Sequence, residues 1–237
     1  MCVICAECYA DKVGPHWRLC VSSVVPAKPK IYHITHMDNL PVIVEHGCLW
    51  SDAQRLEQGC DCTIIGMSQI KRRRLKEIEV ACHPGTKVGE YVPFYFCPRS
   101  IMLYILHRGN HPDLEYREGQ WPVVHLQADL KRVVEWADRT GRPWAFSDRN
   151  AGTYYTSFYA DLAQLEVIDW EAVAAIDWRD PRIKEGKQAE FLVLDSFPLE
   201  LVEEVGVIDT RTLSVARRIF HVADHKPLVN VHRDWYY

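Results

Sequence analysis

Short apolar segments alternate with polar turns along most of this chain, and their spacing predicts both strands and helices. Segments rich in β-branched and aromatic side chains favour strands over helices. By this criterion we predict strands over residues 31–34, 91–96, 121–126 and 190–197. The last of these begins with a glutamate, which is unusual for a segment that is otherwise apolar.

Helical spacing of apolar residues separates these predicted strands. Leu40, Ile43 and Val44 fall on one helical face, with Asp38 as a candidate N-cap and Gly47 as a candidate end. Further helices are predicted over residues 64–78, 130–141 and 212–222. Loops are predicted over residues 51–62, 142–155 and 177–187. Many short strands interleaved with helices predict an α+β fold.

Composition places the chain among ordinary globular proteins. It has 237 residues, of which 48% are hydrophobic and 25% charged, enough for one buried core. No apolar run approaches the roughly 20 residues that span a bilayer, and the first residues lack a signal-peptide pattern, so we expect no membrane partner and a cytoplasmic location. A proline-marked linker over residues 25–30 predicts an N-terminal extension, 1–30, before one domain over 31–237.

The extension is rich in cysteine. Four of the nine cysteines lie in the first twenty residues, and a zinc site completed by a fourth cysteine or by His16 is one interpretation of Cys2, Cys5, Cys8 and Cys20. The spacing is not that of a standard zinc finger, because two pairs share one cysteine. Reduced thiols without a metal are therefore the expectation.

Two charged features suggest chemistry. Glu190 heads an apolar strand, where a carboxylate costs stability unless a partner or a reaction uses it. Residues 71–76 carry five positive charges in a chain whose net charge is −4, which suggests a local anion site. The alternatives are a solvated strand end for Glu190 and a solvated helix face for the basic segment.

At this point the chain resembles a known family. Five motifs occur in the family's order, at residues 32–40, 71–76, 91–100, 188–191 and 234–237. Together they resemble the DNA ADP-ribosyltransferase toxins of the DarT type, over residues 31–237. The resemblance implies an ADP-ribosyltransferase-like (PARP-like) fold, with a central split antiparallel β-sheet flanked by helices. It also implies NAD as the substrate, thymidine in single-stranded DNA as the acceptor, and a macrodomain antitoxin that removes the transferred ADP-ribose from the DNA.

The resemblance also implies roles for individual residues. Glu190 matches the catalytic glutamate, and Arg74 matches the essential arginine, with Arg73 as second choice because three consecutive arginines blur the register. Cofactor contacts are implied for His33, Ile34, Thr35, Asn39 and Leu49. A metal fragment built on His33 and His36 is the alternative, although no further ligands are suggested.

DNA contacts are less sharply defined. Aromatic side chains beside arginine commonly bind unpaired bases. The candidates are Arg99, His125, Asp148, Arg149, Tyr154, Tyr155 and Lys187. The alternative for the tyrosines is a place in the core, for His125 a buried histidine between two apolar neighbours, and for the charged residues an exposed loop.

A single carboxylate suits the implied reaction. Loss of nicotinamide from NAD⁺ leaves an oxocarbenium-like sugar that a nearby carboxylate stabilises, and this leaving group needs no general acid. If about four cations of the basic segment meet phosphates, the logarithm of affinity should fall with that of salt at a slope near −3. Open alternatives are an acceptor such as guanosine, RNA or protein, or an inactive module that only binds single strands.

Overall fold

The computed structural model describes residues 24–237, so the predicted cysteine-rich extension lies largely outside it. Its strands are β1 (Lys30–His36), β2 (Cys48–Trp50), β3 (Tyr91–Tyr95), β4 (Val123–Asp129), β5 (Trp144–Ser147), β6 (Phe158–Tyr159), β7 (Glu190–Leu194), β8 (Ser196–Pro198), β9 (Val202–Val207) and β10 (Leu228–Val231). Its helices are α1 (Leu40–His46), α2 (Asp52–Glu57), α3 (Ser68–Lys76), α4 (Ile101–Arg108), α5 (Leu130–Thr140), α6 (Trp170–Ala174), α7 (Pro181–Gly186) and α8 (Thr210–His221). The predicted boundary at residue 30 stays a prediction.

Eight of the strands form one sheet in the order β10-β9-β4-β1-β3-β7-β5-β6, and β2 pairs with β8 in a small second sheet. The pair β9–β10 is parallel, and the other pairs are antiparallel. The predicted α+β class is confirmed, whereas β2, β5, β6, β9 and β10 were not predicted. Strand β5 lies in the predicted loop 142–155, and the predicted strand 190–197 is divided into β7 and β8, which belong to different sheets.

The large sheet is nearly divided between β1 and β3. These strands are matched only at Tyr32 and Tyr95 within residues 24–237. In contrast, β1 pairs with β4 along its whole length, from Lys30–Asp129 to His36–Val123. The division agrees with the predicted split sheet, and it opens a gap that side chains of both halves can line.

Alternation along the central strands assigns side chains to two cores. Val124 and Leu126 of β4 pack in a cluster with residues of α1, α5 and α8. Val123 of the same strand packs in a second cluster with Leu103 of α4 and with Trp235 near the C-terminus. Successive strand residues point to opposite faces, so helices and the C-terminal segment cover both faces of the sheet.

The ends of α1 differ in part from the prediction. The helix follows a 3₁₀ turn over Met37–Asn39, in which the amide of Asp38 donates a hydrogen bond to His36 Nδ1 at 3.1 Å. The predicted N-cap role of Asp38 is therefore wrong. Gly47 ends the helix as predicted, because its φ of 64° is a conformation that glycine adopts without strain.

Two of the predicted loops contain helices. Helix α2 lies in the segment 51–62, where Ser51 Oγ accepts a hydrogen bond from the Gln54 amide at 3.1 Å. Helix α7 lies in 177–187, with Asp180 as N-cap and Pro181 in the first turn. Both starts carry ordinary N-cap signals. The helices were missed because each has only six residues, too few for apolar spacing to show.

Within residues 24–237, none of the helices has the length and apolar character needed to cross a membrane.

Candidate active site

Glu190 and Arg74 form a buried ion pair at the centre of the candidate site. Arg74 Nη1 donates to Glu190 Oε1 at 3.0 Å, and Nη2 donates to Oε2 at 2.9 Å. The side chains are 2% exposed for Glu190 and 12% for Arg74. The pair of parallel hydrogen bonds fixes the carboxylate plane, and the solvated alternative for Glu190 is excluded.

Three further groups hold Glu190 in place. Its main-chain N–H donates to Ser147 Oγ of β5 at 3.1 Å, and Ser147 Oγ donates to the carbonyl of Arg149 at 2.6 Å. The Ala151 N–H donates to Glu190 Oε1 at 3.0 Å. Tyr95 of β3 lies opposite Glu190 in the sheet register. The carboxylate is thus oriented by α3 and by the loop after β5, and the main chain of Glu190 is held by β5.

The charges of the pair reinforce each other. Burial lowers the pKa of Arg74, but the charge and hydrogen bonds of Glu190 outweigh it, so the pKa lies above its usual value. Burial and the Glu190 charge both raise the pKa of Tyr95. Arg74 therefore stays a cation, which suits it to stabilise negative charge and not to accept a proton.

A cavity of about 550 Å³ opens beside this pair. This volume lies within the range of small-molecule sites. Most of the predicted cofactor contacts line it, together with the ion pair: His33, Ile34, Thr35, Asn39, Leu49, Arg74 and Glu190. Arg73, our second choice for the essential arginine, instead lies with its guanidinium 5.9 Å from the Tyr154 ring centre.

His33 presents a neutral imidazole to this cavity. Its Nδ1–H donates to the Pro93 carbonyl at 2.8 Å, because a carbonyl oxygen only accepts. Burial lowers the pKa of His33 to about 4, against the effect of this hydrogen bond. His33 and His36 are three residues apart on β1 and so face opposite sides of the sheet. The alternative of a shared metal on these two histidines is therefore wrong.

Asn39 joins β1 to the loop before α3. Its Nδ2 donates to Thr35 Oγ1 at 3.0 Å and to the Thr63 carbonyl at 2.9 Å, and its Oδ1 accepts from the Thr63 N–H at 2.8 Å. These bonds use the amide group to position the cavity wall. Leu49 is 2% exposed and packs mainly in the core.

Several cavity residues were missed from the sequence. Lys71 Nζ donates to Asp52 Oδ1 at 2.5 Å, and both side chains line the cavity. Burial raises the pKa of Asp52, but Lys71 lowers it further, so the pKa lies below its usual value. Tyr95 and Asn150 also line the cavity. No local motif marks these residues, because their partners are distant in the chain.

The predicted DNA contacts fall into two groups. In the first group Tyr154 and Tyr155 are exposed, and Asp148, Arg149 and Arg99 are half-buried. Tyr154 and Tyr155 are 65% and 87% exposed, and the Arg73 guanidinium lies 5.9 Å from the Tyr154 ring centre. Arg149 Nη2 donates to Asp148 Oδ2 at 3.0 Å and Nη1 donates to Glu185 Oε1 at 2.8 Å. The alternative of a core position for the two tyrosines is therefore wrong, and both remain candidates for stacking.

The second group is buried. Lys187 is 3% exposed, and its Nζ donates to the carbonyls of Val173 at 2.9 Å and Ala175 at 2.8 Å. His125 is 0% exposed, and its Nε2–H donates to the Pro98 carbonyl at 3.0 Å. Neither side chain presents a surface to a nucleotide. We therefore withdraw the DNA-contact prediction for both, and His125 is a core histidine.

Replacing Lys187 with methionine should destabilise the protein without changing how salt affects DNA binding. The change leaves two carbonyls at the end of α6 without their donor, which costs about 1–3 kcal/mol. Chemical denaturation measures the loss. Lys131→Met is the matched control, because Lys131 is exposed on α5 and its loss should cost below about 0.5 kcal/mol. A changed salt slope in Lys187→Met would instead indicate a phosphate contact.

His125 should make stability depend on pH below neutrality. Burial lowers its folded-state pKa to about 4. The unfolded state, with a pKa of about 6.5, binds the proton first, so unfolding free energy falls between about pH 6.5 and 4, by at most about 1.4 kcal/mol per pH unit. Denaturation at several pH values should show a smaller slope for His125→Gln. An equal slope would show that His125 does not titrate differently on unfolding.

Comparison with known proteins places this geometry in a family. The model of the family described as "ssDNA thymidine ADP-ribosyltransferase, DarT" matches residues 32–237. A DNA ADP-ribosyl transferase of Thermus aquaticus is 40% identical over 214 residues, which are 90% of this chain and 90% of that protein.

Solved structures of the same family are similar to this chain. DarT of Thermus sp. 2.9 in complex with ADP-ribosylated ssDNA has a TM-score of 0.82 and 37% identity, covering 92% of this chain and 100% of that one. Its complex with NAD⁺ has a TM-score of 0.73 and 36% identity, covering 90% and 100%. A DNA ADP-ribosyl transferase–DNA ADP-ribosyl glycohydrolase fusion protein of Thermosipho africanus is 32% identical over 101 residues, 42% of this chain and 25% of the fusion.

Proposed function

The chain belongs to the DarT family of ssDNA thymidine ADP-ribosyltransferases, as its motifs predicted, and we propose that it transfers ADP-ribose from NAD⁺ to a thymidine base in single-stranded DNA. The observation that carries the proposal is the Glu190–Arg74 pair at the wall of a cavity of about 550 Å³. A buried carboxylate that is fixed at both oxygens is organised for electrostatic work before the substrate arrives.

In the proposed reaction the bond between nicotinamide and the ribose C1′ of NAD⁺ breaks. Nicotinamide takes the bonding electrons and leaves as a neutral molecule, so no acid is required. The Glu190 carboxylate stabilises the cationic sugar that remains. Thymine N3 loses its proton to water and forms the new bond to C1′. Arg74 stabilises the negative charge on the deprotonated base.

The neutral state of His33 fits the cofactor side of this reaction. With Nδ1–H held by Pro93, its Nε2 has a lone pair and can accept a hydrogen bond from an amide or hydroxyl group. An imidazolium at this position would repel the positively charged nicotinamide ring of NAD⁺. The lowered pKa of His33, about 4, keeps the imidazole uncharged at neutral pH.

The basic helix α3 offers fewer cations to DNA than its sequence suggests. Arg74 is paired with Glu190 and Lys71 with Asp52, which leaves Arg72, Arg73 and Lys76 for phosphates. Arg72 and Lys76 are exposed, and Arg73 is half-buried. Of these three residues, Arg73 lies beside the exposed Tyr154, with its guanidinium 5.9 Å from the ring centre.

We predict that the affinity for single-stranded DNA falls with salt at a slope of about −2 on logarithmic axes, since three phosphate contacts release fewer counterions than the four assumed from sequence. Fluorescence anisotropy with a labelled oligonucleotide measures the slope. Arg72→Gln should reduce it by about 0.7. Arg139→Gln, an exposed change on α5, should leave it unchanged. A flat dependence would return α3 to the interpretation of a solvated face.

We further propose that a separate macrodomain hydrolase removes the ADP-ribose from DNA, because an unopposed DNA-modifying enzyme would harm its host. The Thermosipho africanus fusion protein described above joins a transferase to a glycohydrolase, which supports the pairing of a transferase with a hydrolase. We also propose a cytoplasmic location, because NAD⁺ and DNA are the substrates of the proposed reaction.

The decisive experiment incubates the protein with NAD⁺ and a panel of single-stranded oligonucleotides, read by mass. We expect one added ADP-ribose on strands that contain thymidine and none on strands that lack it. Modification of thymidine-free strands would point to guanosine as acceptor, and labelling of RNA or protein would redirect the assignment. Binding of strands with no product from any of them would indicate an inactive binding module.

A further inference from the structure

An aromatic wall, formed by Tyr104, Trp178 and Tyr237, borders the cavity on the side of α4 and the C-terminus. The Tyr104 ring centre lies 4.5 Å from that of Trp178 and 5.1 Å from that of Tyr237, with the rings nearly perpendicular. Tyr104 and Trp178 line the same cavity as Glu190. None of these three residues has a role in the reaction described above.

The wall is rigid at its C-terminal end. The Tyr237 hydroxyl donates to the Arg99 carbonyl at 3.0 Å, and its main-chain N–H donates to Gln120 Oε1 at 3.1 Å. Gln120 Nε2 in turn donates to the Tyr237 carbonyl oxygen at 2.5 Å. A ring that is already fixed loses little conformational entropy when a ligand packs against the cluster.

Positive charge accompanies the wall. The Arg99 guanidinium lies 4.4 Å from the Tyr237 ring centre, and its buried Nε has no hydrogen-bond partner within residues 24–237. The exposed Lys184 also lines the cavity. Aromatic faces combined with cations are the features that proteins use to bind single-stranded nucleic acid.

The wall reaches the protein surface, which favours a strand over the dinucleotide as its ligand. The three rings of the wall are half-buried, and exposed His107 lies with its ring centre 6.1 Å from that of Tyr237. Trp178 lies two residues after Ile176, which is 81% exposed. In the proposed function NAD⁺ lies inside the cavity beside Glu190, and the strand crosses the mouth of the cavity. The cavity also offers the dinucleotide another aromatic pair, His46 and Trp50, with ring centres 4.3 Å apart.

We propose that the aromatic wall stacks a base adjacent to the acceptor thymidine and so contributes to the sequence preference of the reaction. The proposal rests on the proposed function for the identity of the acceptor. It adds a second surface for DNA, distinct from the one formed by α3 and the exposed tyrosines. Arg99, retained from the sequence predictions, then supports this surface through Tyr237.

The test removes one base at a time. Oligonucleotides with a single acceptor thymidine carry an abasic residue at each flanking position in turn, and Kd and kcat/KM are measured for each. Wild-type protein should lose roughly 5- to 150-fold in affinity at one position, the range expected for one stacked base. Trp178→Ala should lose a similar factor on the intact strand and show no further abasic penalty. Trp178→Phe should retain most of the affinity.

Two controls make the test decisive. Leu228→Ala removes an exposed apolar side chain on β10, 67% exposed, and should keep the abasic penalty. Tyr104→Leu removes stacking while it keeps apolar volume, so it replaces Trp178→Ala if that variant does not fold. A KM for NAD⁺ that rises more than the KM for DNA in Trp178→Ala would overturn the proposal, as would an unchanged abasic penalty. Wild-type protein could transfer no ADP-ribose and still lose affinity for the abasic strand in a way that depends on Trp178. That result would support base stacking at the aromatic wall and contradict the proposed function.

Discussion

Replacing Glu190 with glutamine should lower kcat for ADP-ribosyl transfer by about 10²–10³-fold, the usual cost of removing one group that stabilises transition-state charge. Glutamine keeps the shape of the side chain and can still accept from the Ala151 N–H, which lies 3.0 Å from Oε1 in the native protein. What it removes is the negative charge next to the cationic sugar. Release of nicotinamide and the mass of the oligonucleotide measure the effect.

The Kd for DNA should change little in this variant, because Glu190 is 2% exposed and faces the cavity instead of the strand. Glu200→Gln is the matched control, an equal change of charge at an exposed turn. It should leave kcat within about twofold. Transfer by Glu190→Gln at the wild-type rate would remove this residue from the mechanism, and the assignment of the site would fall with it.

The sequence predicted the central strands because their residue types are decisive. β-Branched and aromatic side chains over β1, β3 and β7 have no competing helical spacing. Edge strand β10 and its neighbour β9 escaped prediction. In β9 two glutamates follow the first valine, and β10 has only four residues, so neither shows a strong apolar alternation.

The residues of the site also differ in how well the sequence predicts them. Glu190 could be predicted because a carboxylate at the head of an apolar strand is visible in the sequence, and Arg74 because the basic segment matches a motif of the family. Lys187 and His125 could not be placed correctly. A lysine that is bound by two carbonyls of α6 has the same sequence signature as an exposed lysine in a charged loop. Only tertiary packing separates these cases.

The same limit explains the missed residues. Asp52 and Lys71 are 19 positions apart, and their contact depends on how α2 packs beside α3. The aromatic wall is drawn from three separate segments, around α4, before α7 and at the C-terminus. Each of its rings, taken alone, resembles an ordinary core residue. Their common position at one border of the cavity is a property of the fold.

Replacing Arg74 with glutamine should abolish transfer and also destabilise the fold by about 3–5 kcal/mol, since it leaves Glu190 as a buried carboxylate without its counter-ion. Chemical denaturation measures the stability, and nicotinamide release measures the activity. Arg139→Gln is the control, because Arg139 is exposed on α5 and should leave both stability and activity nearly unchanged. Full activity in Arg74→Gln would show that Arg74 is not required for the reaction and that another cation has the essential role.

The double variant Glu190→Gln with Arg74→Gln separates the two effects. Two neutral amides can hydrogen-bond to each other where the ion pair stood, so much of the lost stability should return. Activity should not return, because the reaction needs a negative charge at the sugar and a positive charge at the acceptor base. If activity followed stability in this series, the pair would serve only to hold the fold. Recovery of stability without activity would assign its charges to the chemistry.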